Sequence, residues 1–285
     1  MANTLGTLSS EMILRAALPL AIKRHPLLSR ISHDLSPEAS LKDQTLRSRI
    51  FSAAPVNDFG TGATDRSDTD VPVTLDQFKE VHHKFTYEEL NETNRALVQE
   101  SAEPIATAIS QHLAAAVAAL WNDTNFTNET VVTVANTGYD TLVTLRKALN
   151  SRGAPESRRF VVADSDVYEK LLNDPTVIEA NKNPAGRNII ETGELTGVAG
   201  FSSISEYPDM PSLQNITAFA GSPDSCVLAS RVPKDPRELL PNVPLNGVMK
   251  VISDINSGFS VLAVEHINME DLSANIRMIF LYGVA

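Results

Sequence analysis

Read at every second position, the stretch Val71–Tyr87 gives Val71, Val73, Leu75, Gln77, Lys79, Val81, His83, Phe85 and Tyr87. The other register gives Pro72, Thr74, Asp76, Phe78, Glu80, His82, Lys84 and Thr86. A period of two with one apolar side predicts a half-buried strand. At about 3.3 Å per residue so long a run would reach about 55 Å, well past the usual strand of about 5–6 residues. Leu46–Ala54 is a second strand candidate, and the intervening PVNDFGTGATDRSDTD has the composition of an exposed, mobile loop. The pair predicts an extended hairpin with a polar tip, whose second strand has a face too apolar to be left in water.

Elsewhere the period lengthens. Ile105, Ile109, Leu113, Ala116, Val117 and Leu120 form one stripe, which predicts a long Ala-rich helix beginning near Pro104. Leu8–Ile31 alternates helical signals with Pro19 and Pro26 and reads as an arm of short helices. In the middle of the chain TVVTVAN reads as a strand, GYDTLVTLRKALNSRG as a helix ending at Gly153, RRFVVA as a strand and DSDVYEKLLND as a helix capped by Asp164. ITAFAG, SCVLASRV, GFSVLAVEHI and ANIRMIFLYGV are further strands, the last two pairing across NMEDLS. Helices and strands in this mixture predict an α+β chain.

Composition narrows what such a chain can do. Its 285 residues allow one large or two small domains. With 24 Lys+Arg against 35 Asp+Glu the formal charge is −11, which weighs against general attraction to nucleic acid and leaves room only for a local basic patch. One cysteine, Cys226, excludes an internal disulfide and a thiolate zinc cage. Met12–Ile22 carries Arg15 and Pro19 inside its apolar run and is not read as a signal peptide, and no run reaches the roughly 18 apolar residues of a membrane span.

The candidate chemistry is thin. His82 and His83 are neighbours on a strand and point to opposite faces, His112 flanks the helical stripe, and His25, His33 and His266 fit no metal motif. GTGATD lacks the third glycine of a dinucleotide loop, Cys226 sits mid-strand, and the pairs Asp68/Asp70 and Asp164/Asp166 lack the glycine and distal glutamate of a calcium loop. No catalytic, cofactor-binding or metal residue is nominated, and no cofactor is expected. The informative features are parts that cannot bury themselves and so need a partner.

In order along the chain, MANTLGTL, VPVTLDQFKEVHHKFTYEEL, RRFVVADSDVYEKLLNDPTVIEA, GELTGVAGFSSISEYPDMP, ITAFAGSPDSCVLASRVP and the closing IRMIFLYGVA resemble the major capsid protein of tailed double-stranded DNA bacteriophages, the fold first seen in the Hong Kong phage. The resemblance implies an N-terminal arm over residues 1–45, an E-loop hairpin over 46–90, a P-domain over 91–128 and 255–285 with its spine helix at about Ala102–Trp121, and an A-domain over 129–254. It implies a non-enzymatic subunit of an icosahedral shell, formed from pentamers and hexamers of itself, that encloses DNA without reading its sequence. A scaffolding protein and a portal are implied as partners, a decoration protein is left open, no membrane is involved, and the place is the virion, assembled in the host cytoplasm. The E-loop residues Val71, Val73, Leu75, Val81, Phe85 and Tyr87 would then be covered by an adjacent subunit. Lys79 and Lys84 read as edge-protecting charges, since no asparagine or glutamate partner for a covalent cross-link aligns. The alternatives are a cellular nanocompartment shell of the same fold and, from another class, a soluble enzyme with a dispersed site.

Overall fold

The computed structural model describes residues 10–23, 25–50, 56–60, 69–91, 97–178, 192–211, 215–239, 247–254 and 256–285. The phrase MANTLGTL, residues 51–54 of the first hairpin strand candidate, residues 55 and 61–68 of the loop with Asp68, and the end of the PTVIEA phrase lie outside the described residues. The chain divides into two compact units, one of residues 1–21, 33–108 and 227–285 and the other of residues 22–32 and 109–226.

The first unit is organised on a six-stranded sheet. Its strands are β1 (Ser32–Ser40), β4 (Gln77–Phe85), β8 (Val227–Pro233), β9 (Val248–Ser253), β10 (Ser260–Asn268) and β11 (Ser273–Val284). The long final strand β11 is the axis, pairing antiparallel with β10 from Ile279↔Leu262 to Ser273↔Asn268, with β4 from Ala274↔Phe85 to Tyr282↔Gln77, and with β8 at its last four residues. The expected pairing across NMEDLS is therefore present. β9 lies beyond β10 and β1 beyond β8. Strand β1 follows the Leu8–Ile31 stretch read as short helices and falls inside the N-terminal arm, residues 1–45, that the resemblance implied. Its sequence SHDLSPEAS has one long apolar side chain and a proline, which suits an edge position and gives no hydrophobic period to read.

A separate two-stranded hairpin, β2 (Thr45–Ile50) with β3 (Thr69–Thr74), is registered Leu46↔Val73 and Ser48↔Val71. The run Val71–Tyr87 is thus not one strand. It breaks at Leu75–Asp76, where the Leu75 N–H donates to Gln44 O (3.0 Å) and Leu75 O accepts from Asp43 N–H (2.8 Å), so that the hairpin ends there and β4 starts in the central sheet. The alternation runs in phase across the corner, which is why periodicity alone joins the two.

Helix α1 (Ser10–Lys23) passes through Pro19, and Ile13, Leu14, Ala17, Leu18, Ala21 and Ile22 are buried at helical spacing. Pro26 falls in the turn that follows. After the short α2 (Tyr87–Asn91), α3 (Leu97–Ala118) begins earlier than expected and takes in Pro104, which lies on its exposed side. Ile105, Ile109, Leu113 and Val117 are buried as the stripe predicts.

The second unit holds a three-stranded sheet, β6 (Ser203–Glu206), β5 (Phe160–Ala163) and β7 (Ala218–Gly221), with β5 central, parallel to β6 and antiparallel to β7. Val161 and Ala163 share a core with Leu142 of α4 (Tyr139–Ser151) and with Val167 and Leu171 of α5 (Ser165–Leu172). Asp164 caps α5, accepting from the Ser165 N–H at 2.8 Å, and Asp174 performs the same service for α4, accepting from Tyr139 N–H at 2.7 Å. TVVTVAN is not a strand: Val131 is 92% and Val132 37% exposed, no ladder is formed, and only Val134–Asn136 turns into a short 3-10 helix. Strands β8 and β9 lie inside the stretch read as A-domain but belong to the first unit's sheet.

Candidate assembly surface

The hairpin is fastened at its base. Val73 and Leu75 are buried with Val227, Ala229 and Leu281, and Leu46 and Ala285 pack against the same cluster. At the corner the chain passes so close over β11 that a Cβ on Gly283 would stand 2.1 Å from the Thr74 carbonyl oxygen and 3.3 Å from the Leu75 Cα. Only a residue without a side chain fits beneath such a crossing.

These positions alter the expectation for the ribbon. Val73, Leu75 and Phe85 are 1%, 0% and 2% exposed within this chain, so they are covered here without a neighbouring subunit. The reason is the corner: it turns the ribbon's lower half into a strand of the chain's own sheet. Val71 and Val81 remain half-buried, opposite Ser48 and Met278, and Tyr87 is 56% exposed at the start of α2. The six residues therefore do not form one surface. Near the hairpin tip, by contrast, Val56 and Phe59 are 98% and 108% exposed, and Phe78 on the outward register of β4 is 50% exposed. Isolated in polar sequence, Val56 and Phe59 carry no period that a sequence reading could detect.

Apart from Phe78, the outward face of β4 is polar and matched to β11 and the turn before it. Lys84 pairs with Asp271, Glu80 meets Arg277 at 3.9 Å, and His82 Nε2 lies 2.9 Å from Asn275 Oδ1. The Lys84 ammonium and the Ser273 hydroxyl and amide beside Asp271 hold its carboxyl well below the usual carboxylate range. His83 points to the other face, with Nε2 3.2 Å from Ser101 Oγ of α3 and its ring edge-on to Phe85 at 4.5 Å. Its pKa is lowered by burial, against the pull of Glu89. The two histidines thus diverge, as adjacent strand residues must.

At the sheet's other edge, Arg231 of β8 reaches β1, donating to Asp34 O at 2.7 Å and to Asp34 Oδ1 at 2.8 Å. In the second unit, burial pushes the Cys226 thiol up to about 11, which keeps it protonated and a poor nucleophile. Trp121 stacks on Phe219 at 4.6 Å, and Phe126 meets the same ring edge-on at 4.9 Å. Among the described residues no group of three or more His, Cys, Asp or Glu could hold a metal ion, and no helix is long and apolar enough to cross a membrane.

No family model matches the chain, and no curated protein matches it. By fold it is similar to a solved structure of Mycobacterium phage Che8, with a TM-score of 0.51 and 16% identity over 85% of this chain and 80% of that one. It is likewise similar to the capsid structure of the cyanophage P-SCSP1u, with a TM-score of 0.50 and 16% identity over 88% of this chain and 83% of that one. A mixed α/β chain built on a six-stranded sheet, with a hairpin seated on the end of its last strand, this protein has the fold of phage capsid structures.

Proposed function

We propose that the chain is the major shell subunit of a tailed phage, assembling as pentamers and hexamers into a closed container for double-stranded DNA. The reading is carried by one observation: a hairpin whose base is buried while Val56 and Phe59 near its tip stand almost wholly in solvent. A fold gains nothing from holding a phenylalanine outward on an anchored hairpin, but an assembly does, because a neighbour can cover it at about 25 cal/mol per Å² of apolar surface. The likeness to phage capsid structures supports the same reading. In the assembled shell the hairpin tip, Phe78, Tyr87 and the half-buried Val71 and Val81 lie against adjacent subunits. A scaffolding protein and a portal direct closure, and the shell becomes part of the virion.

Electron microscopy of the concentrated protein, expressed alone and with the genes beside it in its genome, tests the proposal. Closed shells of uniform size, filled with DNA when the neighbouring genes are present, are the expected outcome. Shells that take up a protein cargo in place of DNA would redirect it to a cellular compartment, and small discrete oligomers under every condition would overturn it.

A further inference from the structure

In a chain of formal charge −11, residues 146–159 carry five Lys or Arg against one Glu. Four of the five cations, Arg146, Lys147, Arg152 and Arg158, are exposed, and among the described residues none of these four has a carboxylate partner. Positive side chains at a helix C-terminus are commonplace, because they complement the helix dipole. Here the surrounding structure goes further than that.

Arg146, Lys147, Val143 and Asn150 lie at spacings of three and four along α4 and so share one exposed side of the helix. Beyond the helix, residues 152–158 are held against its last turn by the fifth cation. Arg159 is 1% exposed and gives its guanidinium to Asn150 Oδ1 (2.6 Å), Ala154 O (2.5 Å) and Pro155 O (2.8 Å). This staple fixes the loop that presents Arg152, which donates to Asn128 Oδ1 at 2.6 Å, and Arg158, whose φ of 64° lies in the left-handed region. Arg146 is placed as well. Its guanidinium lies over Gly200, where a Cβ would stand 3.1 Å from Cζ, and Gly200 has a φ of 85° that favours glycine. A buried arginine bonded only to neutral oxygens is costly, and what it secures is a fixed array of cations.

We propose that this array, Arg146, Lys147, Arg152 and Arg158, is a binding surface for the phosphate backbone of double-stranded DNA. The donors are three guanidiniums and an ammonium spread over an exposed helix side and the loop that follows it, which suits a row of phosphates and not a single small anion. No aromatic residue lies between Leu142 and Arg159, so the segment that carries the cations has no base-stacking platform of its own and is suited to backbone contacts that ignore sequence. The acidity of the rest of the chain keeps such contacts weak and reversible, as filling and emptying a container requires. The inference deepens the shell reading and rests on it for the duplex that the surface meets.

Fluorescence anisotropy of a labelled duplex of about 20 base pairs, titrated with the full-length protein over a series of salt concentrations, tests it. Neutralising three or four phosphates at about 0.9 per contact predicts log K falling against log salt with a slope of about −3 to −4. The triple variant Arg146→Gln, Lys147→Gln, Arg158→Gln should flatten that slope by about two to three units while melting within a few degrees of the parent. Retention of the slope in the variant, or no binding at low salt, would overturn the proposal. So would binding of polyglutamate without binding of DNA, which would reassign the surface to an acidic protein partner. Shell formation is read separately by microscopy: closed shells with no DNA affinity would sink only this inference, and DNA affinity without shells only the shell reading.

Discussion

Gly283 lies directly beneath Thr74: a Cβ built on the glycine falls 2.1 Å from the threonine's carbonyl oxygen. The obstacle is backbone, which cannot rotate aside as a side-chain tip could. Gly283→Ala should therefore cost at least about 2–3 kcal/mol, at the upper end for an added methyl in a packed site. For a protein of this size that is a fall in Tm of roughly 5–10 °C. An unchanged Tm would mean that the hairpin does not rest on β11 as described.

Arg231 and Asp34 join the sheet's edge strand to β8, with the arginine side chain 9% and the aspartate 39% exposed. Arg231→Met should destabilise by about 2–3 kcal/mol, somewhat less than the loss of one partner from a fully buried pair, because Asp34 can regain water. Asp34→Asn should cost about half as much, since the bond from Arg231 to the Asp34 backbone oxygen survives. Urea unfolding of the two variants checks the order, and a larger loss for Asp34→Asn would contradict the geometry.

Stability should fall in mild acid. His25 accepts the Leu27 N–H on Nδ1 (3.3 Å) and lies edge-on to Tyr207, and burial lowers its pKa against Asp209. His83 is lowered by burial as well. Both are favoured neutral in the fold, so the stability they support is complete above their ordinary value of 6.5 and is lost as pH drops through their lowered values. Urea midpoints between pH 7.5 and pH 5 should decline, and the decline should be shallower in His25→Gln and His83→Gln. A parallel decline in both variants would place the acid sensitivity elsewhere.

The hairpin's buried base and exposed tip should respond differently to substitution. Val56→Ser with Phe59→Ser should leave Tm within about 1–2 °C, because neither side chain is buried in this chain, yet should prevent or coarsen shell formation seen by microscopy. Leu75→Ala, at a fully buried position, should cost about 2–4 kcal/mol whether or not shells form. If the tip variant closes normal shells, the tip is not a contact between subunits.

Signals that repeat along the chain are legible in the sequence. The stripe Ile105, Ile109, Leu113, Val117 marks α3, Asp164 marks the start of α5, and two apolar runs around NMEDLS mark the β10–β11 pair. What escaped had no period or a misleading one. Leu75 is in phase with the alternation on both sides of the corner, so a turn between sheets reads as a continuing strand. β1 is polar because it is an edge, and its place is set by Arg231 from nearly 200 residues away. Val131 and Val132 have strand propensity but no partner strand, and propensity without a partner does not make a ladder. Alternation and the likeness to a capsid E-loop group the six ribbon residues on one face, whereas exposure is decided by which sheet each half joins.

The corner at Leu75–Asp76 also governs how load travels. A pull on the hairpin tip cannot be absorbed by bending one long ribbon, because the ribbon changes sheets there and its foot is locked over Gly283. The load enters β11, and β11 is bonded along its length to β4, β10 and β8. A force applied at the tip therefore strains the central sheet as a whole, and the hairpin acts on that sheet as a crank acts on its shaft.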